Sequence, residues 1–179
     1  MGLLAAIMLA VYLANPFGTA SLDPRARLLG VALYKIPSRS MEPTLQQGDF
    51  ILANAARDPW ADRRVGDLVV FRFPPQRSIA YVKRIAGIPG DRVRIDGGRL
   101  YVNERPVTEP YLAQQALRQP DSLRMAQRTV PAGHYFMLGD NRDNSNDSRY
   151  WGYVPRADLV GRVFAVWYAE DTRRIGSVR

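Results

Sequence analysis

The sequence predicts a mainly β fold that is preceded by a hydrophobic helix. Short apolar or alternating runs recur between residues 50 and 169, and such runs are typical of strands. Asp96-Gly97 separates two of these runs, as in a hairpin with a tight type I′ turn. Gly-Asp pairs at residues 48, 66, 90 and 139 mostly stand just before a run, and their irregular spacing indicates turns and not a repeat architecture.

The first 22 residues contain no charged side chain, and their apolar part, GLLAAIMLAVYLA, covers residues 2–14. A membrane-spanning helix needs roughly 20 apolar residues. We therefore interpret residues 1–22 as a hydrophobic membrane anchor whose earlier part is missing. A signal-like segment and a buried core helix are the alternatives. Arg25 and Arg27 follow this stretch, and taken alone they predict that the next domain lies inside the cell.

The remaining elements follow in order. Residues 23–36 are predicted to be a linker. The predicted strands that follow are FILA (50–53), DLVVFRF (67–73), IAYVKRIA (79–86), the hairpin RVRI-DG-GRLYV (92–102), HYFML (134–138) and LVGRVFAVWYA (159–169). Residues 111–128 are polar and predict a loop or a short helix. They belong to a small excursion from the main β pattern over residues 92–133.

Composition excludes several classes of protein. A chain of 179 residues fits one domain with an anchor or a small insert. Cysteine is absent, which excludes disulfides, zinc–thiolate sites and a cysteine nucleophile. The net charge is +8, but the arginines are scattered and no run reaches five, so we expect a solvated basic surface and no nucleic-acid partner.

Histidine chemistry has little support. His134 is the one histidine, so a Ser-His-Asp triad would have to use it. It stands at a predicted turn-to-strand junction, where a lone histidine is more often structural than catalytic.

The sequence does not fit the ligand pattern of a calcium-binding loop. The loop DNRDNSNDSR resembles a calcium loop in its density of oxygen ligands. With Asp143 at the first position, the sixth residue is Ser148 and not glycine, and the twelfth is Val154 and not glutamate. A Gly-rich phosphate loop is also absent from the sequence. We therefore predict no metal and no cofactor.

Lys83 is the unusual base of this chain. The 25 cationic residues comprise Lys35, Lys83 and 23 arginines. Arginine does not deprotonate in proteins, whereas a buried lysine can. Strand alternation puts Lys83 on one face with Tyr81 and Ile85, and Arg84 on the other. A desolvated lysine base and a lysine that snorkels from a strand edge fit this pattern equally well.

Ser40 is the candidate nucleophile. It lies in PSRSMEPTL (37–45), where Pro37 and Pro43 stiffen the chain on both sides. A serine hydroxyl needs a base to take its proton, and a neutral lysine can serve. The Ser40 N–H and the Ser38 hydroxyl could both point at a developing oxyanion. An ordinary Ser/Pro turn is the alternative from this motif alone.

Five segments together resemble the successive boxes of one family. PSRSMEPTL, GDFIL (48–52), RVGDLVVFRFP (64–74), YVKRIAGIPGD (81–91) and GDNRDNSNDSRYWGYVP (139–155) occur in this order. They resemble the type I signal peptidases, which are Ser/Lys membrane proteases also called bacterial leader peptidases. The resemblance covers residues 34–169, and several long boxes are far more specific than one short motif.

The resemblance implies a role for each matching residue. Ser40 is expected to be the nucleophile, Lys83 the general base, and Ser38 with the Ser40 N–H the oxyanion hole. Ser145 is expected to orient the lysine by a hydrogen bond. Asp147, Arg149 and Arg142 match the polar network that supports this loop. The residues expected near the pocket for small side chains are Ile36, Pro37, Met41, Leu45, Tyr81 and Val82.

The resemblance also implies the architecture and the biology. The expected fold is built of coiled antiparallel sheets, with residues 37–179 as the catalytic domain and residues 92–133 as a small β cap. The expected activity is removal of signal peptides from exported preproteins after an Ala-x-Ala site, through an acyl-enzyme. The expected protein is a monomer that contacts lipid in the cell (inner) membrane, with one span or more. Its catalytic domain is expected on the extracytoplasmic (periplasmic) face. This is the opposite side of the membrane from the one that Arg25 and Arg27 predict.

Three rival hypotheses make different predictions from the sequence. A self-cleaving Ser/Lys repressor should carry an N-terminal helix-turn-helix, but residues 1–36 offer an apolar stretch. A non-catalytic membrane module would have lost Ser40 or Lys83, and both are present. A basic nucleic-acid-binding β barrel should show clustered arginines with aromatics on one face.

Overall fold

The computed structural model describes residues 2–19, 24–56, 63–112 and 117–178. Residues 113–116, which belong to the predicted loop or short helix, lie outside the described residues, as do residues 20–22 of the predicted anchor. The helices are α1 Gly2–Ala14, α2 Pro24–Leu29, α3 Pro120–Leu123 and α4 Ser148–Trp151. Short 3₁₀ turns cover Pro110–Leu112, Arg142–Asn144, Arg156–Asp158 and Thr172–Arg174.

The strands form two antiparallel sheets, which confirms the mainly β class. In chain order they are β1 Val31–Lys35, β2 Phe50–Asn54, β3 Leu68–Arg72, β4 Ala80–Gly87, β5 Arg92–Asp96, β6 Arg99–Val102, β7 Arg105–Pro106, β8 Arg124–Thr129, β9 His134–Leu138, β10 Val154–Pro155, β11 Leu159–Tyr168 and β12 Gly176–Ser177. The large sheet has the order β1-β2-β11-β3-β4-β9-β10, with β12 on β11, and the small sheet has the order β7-β6-β5-β8. Register shifts interrupt the β11–β2, β11–β3 and β4–β9 pairings, and such bulges bend and curl a sheet.

Strand β3 shows why the large sheet is stable. Leu68 and Val70 pack into one core cluster, and Val69 and Phe71 pack into another on the opposite side. A strand that is covered on both faces has a continuous apolar run and no alternation. This explains the run LVVF in the middle of the chain, and it makes β3 a rigid support for the neighbouring strand β4.

The small sheet covers one end of the large one. Val93 and Ile95 of β5 and Leu100 of β6 pack in one cluster with Phe136 and Leu138 of β9. All four strands of the small sheet lie within the predicted insert, residues 92–133. That the insert is a separate cap, and that the chain divides after residues 22 and 36, remain predictions.

The β5–β6 hairpin is confirmed, with one correction to its turn. Asp96 pairs with Arg99, so the two loop residues are Gly97 and Gly98, and not Asp96-Gly97. Both glycines have positive φ, 55° and 80°, as a type I′ turn requires. Asp96 instead ends β5, one residue before the turn.

Five strands were missed by the sequence pattern, namely β1, β7, β8, β10 and β12, and β1 and β8 are the longest of them. Residues 24–35, within the predicted linker, contain α2 and β1, and β1 pairs with β2 along its whole length. Strand β8 covers Arg124–Thr129 in a segment that was predicted to be a loop or a short helix.

Helix α1 coincides with the apolar stretch that was predicted from the sequence. None of its residues is buried, so the alternative of a buried core helix is wrong. Among the described residues, none of the helices has both the length and the apolar character needed to cross a membrane. Membrane anchoring by this segment therefore stays a prediction.

Candidate active site

The site is centred on a contact between Ser40 and Lys83, which are far apart in sequence. Lys83 lies in the middle of β4, and its Nζ donates a hydrogen bond of 2.5 Å to Ser40 Oγ. The Lys83 side chain is buried, and Ser40 is half-buried in the turn after β1. A nucleophile and a base within hydrogen-bond reach are the first requirement of serine chemistry.

Backbone hydrogen bonds and two core residues fix the Ser40 turn. The Ile36 N–H donates to Asp49 O at 2.8 Å, and the Gly48 N–H donates back to Ile36 O at 2.9 Å. Inside this closed loop, Met41 and Leu45 are fully buried in the core of the large sheet. The turn is therefore held in place on both sides of Ser40.

Burial makes Lys83 a plausible base. It lowers the pKa of the Lys83 amine from 10.5 to about 8, because a charged amine loses its hydration in the interior. The carboxylates of Asp147 and Asp140 act in the opposite direction and keep the pKa from falling further. Near pH 8 a large fraction of the amine is thus neutral and able to accept a proton. Of the two interpretations left open by the strand pattern, the snorkelling lysine is wrong.

Ser38 lies beside Ser40 in the same turn. Its hydroxyl oxygen is 3.2 Å from Ser40 Oγ, and the side chain is exposed to the cleft. A hydroxyl here can donate to an oxygen that develops charge next to the Ser40 Oγ.

The loop over residues 139–149 lies behind the lysine. Asp147 is fully buried and accepts hydrogen bonds from the Gly139 N–H at 3.0 Å and from Arg149 Nε at 2.8 Å. Arg149 in turn donates to the carbonyl of Arg142 at 2.5 Å. Asp147, Arg149 and Arg142 therefore form one connected polar network, and its supporting role in the site stays a prediction.

Ser145 does not make the predicted hydrogen bond to Lys83. Its Oγ is buried and has no hydrogen-bond partner among the described residues. The Ser145 side chain packs so closely on Gly139 that a Cβ added to Gly139 would overlap the Ser145 Oγ. Its role in orienting the lysine stays a prediction.

A second ion pair, which was not singled out from the sequence, ties this loop to the nucleophile turn. Arg84 points away from Lys83 and binds the Asp140 carboxylate with two nitrogens, at 2.8 and 2.6 Å. Asp140 also accepts from Thr44 Oγ1 at 2.6 Å, and the Asn141 N–H donates to Ser40 O at 3.1 Å. Arg84 and Asp140 both lie in the motifs quoted above, but the periodicity of the sequence does not indicate that they form an ion pair.

A cavity of about 440 Å³ opens beside the dyad. Of the residues predicted for the pocket, Ile36, Pro37, Tyr81 and Val82 line it. Met41 and Leu45 do not line it, since both lie in the core beneath the turn. The lining side chains that sequence reasoning missed are Tyr34, Lys35, Ile51, Val70, Ile79, Ala80, Asn144 and Asn146.

The other candidates from the sequence lie apart from this chemistry. His134 is the first residue of β9, and its Nδ1 lies 2.9 Å from the Ala132 carbonyl. Asp143, in the calcium-like loop, accepts hydrogen bonds from the backbone N–H groups of Arg118 and Gln119. Within the described ranges, no group of three or more acidic, histidine or cysteine residues could hold a metal ion.

Comparison with known proteins gives one consistent answer. The family model described as "Signal peptidase, peptidase S26" matches residues 3–168. The chain is 43% identical to a signal peptidase I of Pseudomonas aeruginosa, over 75% of this chain and 63% of that protein. It is 37% identical to a signal peptidase I of Leptolyngbya laminosa, over 79% of this chain and 71% of that protein.

A solved structure agrees with these relatives. The crystal structure of a signal peptidase I from Enterococcus faecalis V583 matches with a TM-score of 0.52 and 31% identity. The match covers 57% of this chain and 97% of that structure. The chain spans about 63% of the length of the Pseudomonas relatives. On the family match and these identities, the chain belongs to the signal peptidase family, peptidase S26.

Proposed function

We propose that this protein is a membrane-bound serine endopeptidase that removes N-terminal signal peptides from exported preproteins. The observation that carries the proposal is the 2.5 Å contact between Ser40 Oγ and an amine whose pKa burial lowers to about 8. The family relationship supports the same activity, because several relatives bear the name signal peptidase I.

The chemistry follows from the dyad. Neutral Lys83 accepts the Ser40 proton while Ser40 Oγ attacks the scissile carbonyl. The C–N bond breaks, the new amine of the mature protein takes the proton from Lys83, and the signal peptide stays on Ser40 as an ester. Lys83 then takes a proton from water, the hydroxide attacks the ester, and Ser40 is released with its proton restored.

Two donors serve the oxyanion of each tetrahedral intermediate. The backbone N–H of Ser40 is one, and the Ser38 hydroxyl, 3.2 Å from Ser40 Oγ, is the other. Fixed donors aimed at the developing charge contribute more than donors that must reorganise.

An open strand edge suits an extended substrate. The first half of β4, from Ala80 to Val82, pairs with β3, whereas β9 pairs with β4 only from Arg84 onward. Among the described strands, none pairs with this edge of β4 from Ala80 to Lys83, so the edge can bind a peptide by strand addition. The apolar cavity beside it, lined by Ile36, Tyr81 and Val82, suits the two small side chains of an Ala-x-Ala site.

Location and partners complete the proposal. The exported preproteins are the substrates, and the enzyme acts as a monomer on the extracytoplasmic face of the cell membrane. Helix α1 supports lipid contact, because Leu3, Leu4 and Leu13 are each more than 60% exposed, at 78%, 68% and 67%. Exposed apolar surface of this kind favours transfer into lipid.

The test is cleavage of a defined substrate. The full chain in detergent or lipid is incubated with a secreted preprotein that carries an Ala-x-Ala site, and the products are identified by mass spectrometry. We expect one cut after the second alanine and no cut with Ser40→Ala. No cut by the folded wild-type chain, or an equal cut by the variant, would contradict the proposal and favour a non-catalytic membrane module.

A further inference from the structure

Glu109 is a buried carboxylate that does not line the cavity beside the Ser40–Lys83 contact. It lies in the insert, directly before the 3₁₀ turn Pro110–Leu112, and its side chain is 5% exposed. It accepts hydrogen bonds from the Leu100 N–H at 3.2 Å and from the Tyr111 hydroxyl at 2.7 Å. Its main partner is the guanidinium of Arg142, with which it forms an ion pair.

Arg142 depends on this partner. Its side chain is 1% exposed, and Glu109 is the one carboxylate with which it forms an ion pair among the described residues. A second terminal nitrogen, Nη1, is buried and has no partner in the described part of the chain. Removing the charge of Glu109 would thus leave a buried, uncompensated guanidinium, which is strongly unfavourable.

Arg142 connects the insert to the catalytic elements. It opens the 3₁₀ turn that ends just before Ser145, and its Nε donates to Gly139 O at 3.2 Å. Between these residues, the Asn141 N–H holds the carbonyl of Ser40 at 3.1 Å. Two hydrogen bonds, from Arg142 Nε to Gly139 O and from the Asn141 N–H to Ser40 O, therefore connect Arg142 to the backbone of Ser40 through one short segment.

Other contacts between the insert and this loop lack a carboxylate from the insert. Arg118 and Gln119 contribute backbone N–H groups to Asp143, and Arg149 donates to Ser122 Oγ at 3.0 Å. Among the ion pairs of the described residues, Glu109–Arg142 is the one that joins the small sheet region to the loop over residues 139–149.

We infer that Glu109 is a positioning residue, through which the insert holds Arg142 and the loop over residues 139–149 in the geometry that the Ser40–Lys83 chemistry needs. The inference rests on the proposed function. It assigns the insert a part in turnover, although none of its described residues lines the cavity beside the dyad. Because Glu109 touches neither Ser40 nor that cavity, its loss should lower kcat and leave KM nearly unchanged.

The test compares two acidic residues of the insert in the full-length enzyme. Glu109→Gln removes the buried charge, and Glu104→Gln is the matched control, since Glu104 pairs with Arg94 at the surface. Steady-state cleavage is measured well below the unfolding temperature of each variant. We expect kcat to fall by about tenfold or more for Glu109→Gln, with KM within about twofold, because small misplacements of reacting groups are costly. Glu104→Gln should match the wild type.

A double-mutant cycle separates positioning from a general loss of stability. If Glu109 acts through Arg142, then Glu109→Gln should lower kcat no further in an Arg142→Met background. Should Glu109→Gln fail to fold, Tyr111→Phe removes one of the hydrogen bonds to the carboxylate, and the expected fall in kcat is about threefold.

The outcomes distinguish this inference from the proposed function. Cleavage by the wild type together with unchanged kcat in Glu109→Gln, or in Tyr111→Phe as its substitute, would overturn the inference alone. If the reductions in kcat of the two single variants multiply in the double mutant, the inference alone would also be overturned. Failure of the wild type to cleave would overturn the proposed function, and the inference with it.

Discussion

The amine of Lys83 lies in a part of the protein that has almost no contact with water. Its side chain is 3% exposed, and its Nζ lies 5.5 Å from the centre of the Tyr81 ring. In the protonated state such an amine lacks most of its hydration, and the carboxylates of Asp140 and Asp147 compensate only in part. The same burial that destabilises the charged form favours the neutral amine that the proposed mechanism uses as its base.

The first prediction concerns the stability of the fold and Lys83. Replacement of Lys83 by methionine keeps the length of the side chain and removes its charge. A pKa that burial lowers from 10.5 to about 8 means that the unfolded chain binds more protons between these two values. The cost of the lysine is therefore complete below about pH 8 and disappears as the pH approaches 10.5.

At pH 7 we expect Lys83→Met to raise the free energy of unfolding, by at most on the order of 3 kcal/mol. The gain should shrink steadily as the pH rises toward 10.5, while proteolysis is lost at every pH. The measurement is denaturant unfolding across this range. Lys35→Met is the control, because Lys35 is exposed and its replacement should give no such trend. A gain that does not depend on pH would contradict a buried amine with a lowered pKa.

The second prediction concerns the Ser38 hydroxyl. If this hydroxyl stabilises the oxyanion, Ser38→Ala should lower kcat by about 10²-fold, the usual effect of removing one donor. KM should change little, because the donor acts on charge that develops only in the transition state. Ser38→Thr keeps the hydroxyl and should retain far more activity. Equal kinetics for Ser38→Ala and the wild type would exclude this role.

The central pair was predicted from the resemblance and not from residue type alone. Lys83 is unusual because 23 of the 25 cationic residues are arginine, but the strand pattern left its role open, and an ordinary turn was the alternative for Ser40. Glu109 did not stand out, since its partner Arg142 is 33 residues away and no local pattern reports such a pairing. Met41 and Leu45 were expected near the pocket from the resemblance, but they lie in the core.

At the scale of elements, the loop over residues 139–149 is held from two sides. One side binds the nucleophile turn through Thr44–Asp140 and Asn141–Ser40. The other side binds the insert through the Glu109–Arg142 pair. A loop clamped in this way can keep several side chains in a fixed geometry without regular secondary structure.

The third prediction tests the close packing of this loop. A Cβ on Gly139 would overlap Ser145 Oγ and approach the carbonyl oxygen of Ser40 to 2.6 Å. Gly139→Ala should therefore displace the nucleophile turn and lower kcat by about 10²-fold or more. Gly133→Ala is the control: its φ of 70° makes it strained, but no atom lies within 4 Å of the added Cβ.

For the control we expect a loss of about 1 kcal/mol in stability with kcat unchanged. Activity and thermal unfolding of both variants are measured together. Full activity in Gly139→Ala would show that the loop can move away without consequence, against the tight coupling that the contacts imply.

The strands were predictable where they carry apolar side chains. The predicted runs became β2, β3, β4, β5, β6, β9 and β11, with bounds that differ by at most a few residues. Strand β8, RMAQRT, lacks a strong apolar alternation, and it forms because its backbone pairs with β5. Strand β1 lies within the segment that was expected to be a linker. Its pairing with β2 also depends on contacts between residues that are distant in sequence.

At the scale of the whole molecule, an exposed apolar helix precedes the large sheet. Helix α1 has no buried residue, and Ile7 near its centre is 51% exposed. Its placement in lipid is part of the proposed function. The family model matches residues 3–168, which include all but the first residue of this helix, the small sheet, and the large sheet except β12.

The fourth prediction concerns this helix. If α1 inserts into lipid, Ile7→Asp should weaken binding of the full chain to phospholipid vesicles by about 10²-fold, because an aspartate at the centre of an inserted helix costs about 3 kcal/mol. Ile7→Leu should bind like the wild type. Flotation with vesicles measures both, and equal binding of the aspartate variant would argue against insertion of α1.

The most direct test of the central claim is the pH dependence of cleavage by the Ser40–Lys83 dyad. kcat/KM on an Ala-x-Ala preprotein is measured from pH 6 to pH 10 for the wild type and for Lys83→Arg, a range chosen to bracket the pKa of about 8. We predict that the wild-type value rises through a single ionisation near pH 8 and then levels off. Lys83→Arg, which cannot become neutral, should be inactive throughout. A flat wild-type profile, or an active arginine variant, would contradict a neutral lysine as the base.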